Sequence, residues 1–107
     1  MIYRLYTESS PEYDENTFRI LDAYFGGYTW WHAEGRYKGH AEHSLIVEVV
    51  GDADLGRVIM AAAREIRAEN RQDAVLVVSQ LGACVRSRAC SRARPSGRGA
   101  AYVKREN

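Results

Sequence analysis

The chain has 107 residues, of which 46% are hydrophobic and 27% are charged. This length allows one domain with one hydrophobic core, and the composition is typical of a soluble globular protein. No apolar run approaches the length of a membrane-spanning helix, and the first residues lack the pattern of a signal peptide. Together these features argue against a membrane or secreted protein and predict a cytoplasmic one.

The net charge of +1 conceals a division of the chain. Residues 1–80 carry 8 lysines and arginines against 13 acidic residues, a net charge of −5. Residues 81–107 carry 7 basic residues against 1 acid, a net charge of +6, and are rich in arginine, alanine, serine and glycine. We therefore predict a folded acidic domain over residues 1–80 and a basic, arginine-rich C-terminal tail over residues 81–107.

The first half of the domain predicts a strand, a helix and a further strand. Residues 2–7 (IYRLYT) alternate in the manner of a short strand. Residues 9–25 open with a serine before a proline, which is a helix-start signal, and a pair of glycines follows them. Aromatic residues and glycines over residues 28–39 indicate a strand or one arm of a long hairpin.

The second half predicts a strand, a helix and a strand. Residues 43–51 (HSLIVEVVG) alternate clearly, and residues 73–80 (DAVLVVSQ) are apolar on both faces. Residues 51–72 form the clearest helical pattern of the chain. Its apolar positions recur at i, i+4, i+7 and i+11: Leu55, Ile59, Ala62 and Ile66.

This order of elements predicts a ferredoxin-like α+β fold. Strand, helix, strand, strand, helix, strand is the βαββαβ arrangement, a four-stranded antiparallel sheet with two helices on one face. The last two predicted strands carry apolar residues on both of their faces. Because two helices cover only one face, the other face needs a cover, and we predict a homo-oligomer, either a dimer or a trimer.

The segment HAEGRYKGHAEHS, residues 32–44, concentrates three histidines, two glutamates, an arginine and a lysine. Imidazole and carboxylate groups suit zinc or nickel. The spacing matches no strong metal motif such as HExxH or paired CxxC, so we expect neither a metal nor a cofactor. Glycines at Gly35 and Gly39 allow a ligand to approach the backbone closely, and Arg36 and Lys38 add positive charge, a pattern that favours anion binding.

Residues 35–42 (GRYKGHAE) resemble the GRQKGHTE segment of the PII signalling proteins, which are trimeric ferredoxin-like nucleotide binders. Residues 85–88 (VRSR) are similar to the IRIR of that family's C-terminal segment. The long T-loop of PII proteins is missing, because the strand HSLIVEVV begins almost at once, and Tyr37 replaces a glutamine of the family. The ligand-binding residues that the resemblance implies are Gly35, Arg36, Lys38, Gly39, Arg86 and Arg88.

The resemblance implies a non-enzymatic, PII-like homo-oligomeric regulatory module that binds an anionic small molecule, in particular a nucleotide. The sequence contains no nucleophile elbow, P-loop or dinucleotide-binding fingerprint, which agrees with a protein that is not an enzyme. The alternative is a small phage- or mobile-element-encoded inhibitor of anti-CRISPR or anti-defence type, which would contact a protein partner that handles nucleic acid. The basic tail could bind nucleic acid, complete the ligand site or stay solvated.

Overall fold

The computed structural model describes residues 1–80 and 98–104. Within these two ranges, two helices and five strands follow one another. In order they are β1 (Ile2–Glu8), α1 (Pro11–Tyr24), β2 (Thr29–Tyr37), β3 (His40–Val50), α2 (Leu55–Glu69), β4 (Ala74–Gln80) and β5 (Arg98–Lys104). Within these described residues, neither helix has the length and apolar character that crossing a membrane requires.

The strands form one antiparallel sheet in the order β2-β3-β1-β4-β5. The first four strands and the two helices confirm the predicted ferredoxin-like arrangement. The fifth strand, residues 98–104, lies within the segment predicted as a basic tail and pairs with β4 along its whole length. The division of the chain at residue 81 otherwise stays a prediction, because residues 81–97 and 105–107 lie outside the described residues.

Helix α1 begins as its sequence predicts. The hydroxyl of Ser10 accepts a hydrogen bond from the Tyr13 N–H at 3.1 Å, and Pro11 occupies the first helical position, where no N–H partner is needed. The helix buries one face, which includes Ile20 and Leu21. These apolar side chains hold α1 against the sheet, so the start of α1 lies beside the end of β1.

Helix α2 ends in a hydrogen-bonded turn that feeds directly into β4. The Arg71 N–H donates to the Ala68 carbonyl at 3.3 Å, and the Gln72 N–H donates to the Arg67 carbonyl at 3.0 Å. These two bonds are those of a Schellman motif. Arg71 has φ = 55°, in the left-handed region that usually favours glycine at this position. The turn fixes Arg71 and Gln72 immediately before β4.

The hydrophobic core lies between the two helices and one face of the sheet. Alternate residues of β1, β3 and β4 point into it, as the strand patterns predict. The core side chains with no exposed surface are Leu5, Leu21, Leu45, Val47, Ile59, Ala62, Ala63, Ile66 and Val75.

The opposite face of the sheet, which we call the open face, is only partly buried. Four residues lie side by side across β2, β3, β1 and β4, and we call them the apolar row: Trp31, Ile46, Tyr6 and Leu76. Beside the row, Arg4 and Glu48 are paired across β1 and β3, with Arg4 Nε 2.9 Å from Glu48 Oε1. The open face therefore combines exposed apolar surface with one cross-strand ion pair.

Asn70 joins the end of α2 to α1 and is only 2% exposed. Its Nδ2 donates to Thr17 Oγ1 at 3.2 Å, and its Oδ1 accepts from Asn16 Nδ2 at 3.0 Å. We expect Asn70→Ala to lower the free energy of unfolding by about 2 kcal/mol or more, because the buried Thr17 hydroxyl loses its partner. Urea denaturation measures this loss. Asn16→Ala serves as the control: it removes the outer hydrogen bond to Asn70 and an exposed one from Arg19, and should cost about 1 kcal/mol or less.

Candidate functional site

A cleft opens at the end of the sheet where β1 stops. Glu8, the last residue of β1, lies opposite Ser44 of β3, yet β3 begins four residues earlier, at His40. The chain leaves the sheet after Glu8 to enter α1, so the sheet is notched between β3 and the turn that precedes β4. We call the resulting hollow the β1-end cleft, and its volume is about 500 Å³. Small-molecule sites usually span roughly 300–1,000 Å³, so this cleft has the size of a ligand site.

Side chains of four segments line the β1-end cleft: the end of β1, the start of α1, the β2–β3 hairpin and the α2–β4 turn. Its charged, aromatic and amide side chains are Glu8, Tyr13, Tyr37, Lys38, Glu42, Arg71, Gln72 and Asp73. A smaller hollow of about 190 Å³ shares Glu8, Tyr37 and Glu42 with the cleft and extends along the open face. The cleft thus combines three acidic residues, two basic residues and two tyrosines.

The carboxylates of Glu8 and Glu42 lie in the wall that both hollows share. Burial raises the pKa of the Glu42 carboxyl, and the negative charge of Glu8 raises it further. Both causes penalise the charged form of Glu42. A positively charged group of a ligand, placed beside Glu8 and Glu42, would offset the repulsion between these two carboxylates.

The raised pKa of Glu42 predicts a pH-dependent effect on stability. The folded state holds the Glu42 proton more tightly than the unfolded state. The contribution of Glu42 to the free energy of unfolding is therefore lost as the pH rises from about 4 through the folded pKa. We expect Glu42→Gln to raise the melting temperature at pH 7–8, with the gain shrinking towards pH 4. Thermal melts at several pH values measure it. A Glu42→Gln protein that melts below the wild type at pH 8 would contradict the assigned direction.

A tight turn forms the rim of the cleft. Lys38 and Gly39 connect β2 to β3 and have φ values of 53° and 82°, as a two-residue hairpin turn of type I′ requires. The Lys38 ammonium lies 3.6 Å from the Asp73 carboxylate and 5.3 Å from the centre of the Tyr37 ring. Because both charged side chains are more than half exposed, this ion pair is weak and can exchange its partner for a ligand.

The structure places the four described residues of the predicted anion site on this hairpin. Arg36 donates from Nη2 to the Gly39 carbonyl at 2.8 Å, and Lys38 lines the β1-end cleft. A Cβ atom added at Gly35 would meet only the Ser44 hydroxyl at 3.5 Å, an ordinary contact distance. Gly39 is the glycine that the backbone conformation favours.

The other two predicted site residues, Arg86 and Arg88, lie outside the described residues. The predicted phosphate site therefore stays a prediction. The carboxylates of Glu8, Glu42 and Asp73 line the same cleft as Lys38, so a phosphate placed there would meet negative as well as positive charge.

The histidine-rich segment divides between separate contacts. His32 Nε2 lies 2.8 Å from Asp14 Oδ2, and His43 Nδ1 lies 3.9 Å from Glu34 Oε2. His40 lines the β1-end cleft. In residues 1–80 and 98–104, no three histidine, cysteine, aspartate or glutamate side chains are grouped so as to hold a metal ion.

Sequence reasoning missed Glu8, Tyr13, Glu42 and Gln72 as lining residues of one site. Glu8 and Gln72 are 64 positions apart, and no local motif links them. The available signal was the acidic residue at the end of a strand that leads into a helix. Such a position lies at the end of the sheet, beside the connecting segments that commonly carry binding residues.

A scan against protein-family models finds no match, and a search of the curated proteins finds none either. A search of the solved structures finds a phage SAM lyase in its apo state, with a TM-score of 0.67 and 13% identity, covering 99% of this chain and 90% of the lyase chain. It also finds a phage SAM lyase in complex with S-methyl-5′-thioadenosine, with a TM-score of 0.56 and 15% identity, covering 72% of this chain and 77% of the other. At these identities the likeness shows a shared fold.

The comparisons correct one expectation from the sequence. We expected a non-enzymatic protein, and both of these solved structures are of a lyase, which is an enzyme. The reason for the error is physical: we searched for nucleophile and phosphate-binding motifs, and a site built from strand ends and turns carries no such motif. Both solved structures are phage proteins, which is the source that the alternative interpretation named.

Proposed function

We propose that this protein is a lyase that binds S-adenosylmethionine (SAM) in the β1-end cleft and releases S-methyl-5′-thioadenosine. The observation that carries the proposal is the pair of carboxylates, Glu8 and Glu42, in a cleft of about 500 Å³. Support comes from the fold that the chain shares with a phage SAM lyase.

The charge of the cleft suits this substrate. SAM carries a positive sulfonium sulfur and a positive ammonium group, and both gain energy beside a carboxylate in a partly buried site. The rings of Tyr13 and Tyr37 line the same cleft. Aromatic rings stack on adenine and attract cations over their faces, so these tyrosines would hold the adenosine and the sulfonium.

The proposed reaction breaks the bond between the sulfonium sulfur and the 3-amino-3-carboxypropyl group. Sulfur keeps the electron pair and becomes the neutral thioether of S-methyl-5′-thioadenosine. A lyase adds no water, so the new bond must form between atoms of the four-carbon fragment itself. Either its own carboxylate attacks the carbon bonded to sulfur and closes a lactone, or a carboxylate of the cleft takes a proton from the adjacent carbon and a carbon–carbon double bond forms. In both routes the cleft carboxylates bind the cationic substrate.

The direct test is to incubate the purified protein with SAM and to follow the products by liquid chromatography and mass spectrometry. We expect S-methyl-5′-thioadenosine in an amount equal to the SAM consumed, and the mass of the four-carbon product distinguishes the two routes. S-adenosylhomocysteine is the control substrate, because it lacks the sulfonium charge, and it should stay intact. Formation of S-methyl-5′-thioadenosine no faster than in protein-free buffer would refute the proposal.

A second copy of the chain remains our predicted cover for the open face. The apolar row defined above is exposed in part, since Trp31 retains 39% of its accessible surface. Light scattering distinguishes a homo-oligomer from the 12.1 kDa monomer. We expect Trp31→Glu to shift the mass towards that of the monomer, while a wild-type protein that is already monomeric would contradict the prediction.

The inhibitor hypothesis stays a prediction without a structural observation in its favour.

A further inference from the structure

Gln72 is a buried polar side chain in the wall of the β1-end cleft. It is 3% exposed, although it lies in the turn between α2 and β4, where polar side chains are usually solvated. The Schellman turn described above fixes its backbone. A long polar side chain is therefore held inside the protein at the site where we place the ligand.

The orientation of the Gln72 amide is determined by its two partners. Its Oε1 accepts from the Thr7 hydroxyl at 2.8 Å and from the Glu8 backbone N–H at 3.4 Å. A backbone N–H can only donate, so the amide atom that faces Glu8 must be the carbonyl oxygen. Both lone pairs of Oε1 are then occupied, and the amide can offer a further ligand only its Nε2 donor.

The Nε2 atom of Gln72 is buried and has no hydrogen-bond partner among the described residues. Buried donors are nearly always satisfied in folded proteins, because leaving one unpaired costs free energy. The carboxylates of Glu8 and Glu42 line the same cleft and would repel an acceptor that is itself negatively charged. The donor therefore fits a neutral acceptor atom.

We propose that Gln72 recognises the base of the ligand by donating a hydrogen bond from Nε2 to a ring nitrogen of adenine. This inference rests on the proposed function, and it adds a specificity-determining residue to it. Adenine has three neutral acceptor nitrogens, N1, N3 and N7. Thr7 acts as a positioning residue, because its hydroxyl holds the amide with the donor free.

The test measures the affinity of purified variants for S-methyl-5′-thioadenosine by isothermal titration. Gln72→Glu retains an oxygen for Thr7 and replaces the donor by an acceptor, so we expect it to bind at least about tenfold more weakly. Gln80→Glu makes the same chemical change at the end of β4, outside the cleft, and should bind as the wild type does. Thr7→Val, which releases the amide, should give a smaller loss than Gln72→Glu.

Analogues that lack one acceptor nitrogen test the contact without altering the protein. Among 1-deaza-, 3-deaza- and 7-deaza-S-methyl-5′-thioadenosine, one should bind the wild type about tenfold more weakly than the other two. For that analogue, the wild type and Gln72→Glu should bind with nearly the same affinity. If Gln72 had only a structural role, Gln72→Glu would weaken the binding of all three analogues alike.

The outcomes separate this inference from the function on which it rests. If the wild type binds S-methyl-5′-thioadenosine and Gln72→Glu binds it equally well, or if no deaza analogue is selectively weakened, the role of Gln72 is overturned and the proposed function stands. If the wild type does not bind S-methyl-5′-thioadenosine, both are overturned. Thermal melts of each variant confirm that the compared proteins are folded.

Discussion

Replacing Glu42 by glutamine is expected to lower kcat/KM for SAM cleavage roughly ten- to a hundredfold, because a charge-assisted contact in a partly buried site is worth about 1.5–3 kcal/mol. Most of the loss should appear in KM. The positive charge on sulfur disappears during the reaction, so a carboxylate beside it stabilises the bound substrate at least as much as the transition state. Glu8→Gln should act in the same direction.

The matched control for these variants is Glu34→Gln. Glu34 lies on β2 of the same hairpin with its side chain 82% exposed, and its replacement changes the net charge by the same amount outside the cleft. It should leave kcat/KM unchanged. If Glu34→Gln and Glu42→Gln lose activity equally, the effect is general electrostatic attraction of the cationic substrate, and a specific contact is refuted. If Glu42→Gln lowers kcat alone, Glu42 accepts a proton in the reaction.

Removing residues 98–107 is expected to destabilise the protein by several kcal/mol. All seven residues of β4 pair with β5, and each backbone hydrogen bond contributes about 0.5–1.5 kcal/mol. The total is a large part of the roughly 5–15 kcal/mol by which a small domain is stable. The truncation also turns β4, an apolar strand, into the exposed edge of the sheet, where it can pair with other chains.

Urea denaturation and light scattering measure the two consequences of this truncation. Deletion of residues 105–107 alone is the control, because it keeps β5 intact, and its urea midpoint should match that of the full chain. A truncated protein lacking residues 98–107 with an unchanged midpoint and no aggregation would show that β5 contributes nothing to stability. That outcome would leave residues 98–107 as part of the basic tail that the sequence predicts.

The fold was largely predictable because its signals are local. The serine–proline start of α1 and the alternation of residues 43–51 each reflect the structure of a few neighbouring residues. Helix α1 begins as predicted, and β3 covers nearly all of the predicted strand but begins three residues earlier, at His40. Strand β5 was missed because the composition of residues 81–107, rich in arginine and small residues, resembles a solvated segment more than a strand. Pairing with β4 stabilises that strand, and tertiary pairing overrides weak local preference.

The candidate site was less predictable, because its parts come from distant segments. The hairpin was predicted to bind a ligand through Arg36 and Lys38. The structure adds Glu42 of the same hairpin, and Glu8 and Gln72 from other elements. No sequence pattern indicates that the hydroxyl of Thr7 meets the amide of Gln72, since that contact depends on the turn after α2. A motif search is therefore insensitive to this kind of site.

The Arg4–Glu48 pair has a consequence for any molecule that covers the open face. Its side chains are 33% and 26% exposed, so a wholly apolar cover would strip away the remaining water. Desolvating an ion pair often costs more than its attraction returns, unless new hydrogen bonds replace the lost water. A covering surface must therefore present polar atoms opposite this pair and apolar atoms opposite the neighbouring Trp31 and Ile46. The need for polar atoms at one place and apolar atoms beside it restricts the relative orientation of the two molecules. It also disfavours the nonspecific binding of wholly apolar surfaces.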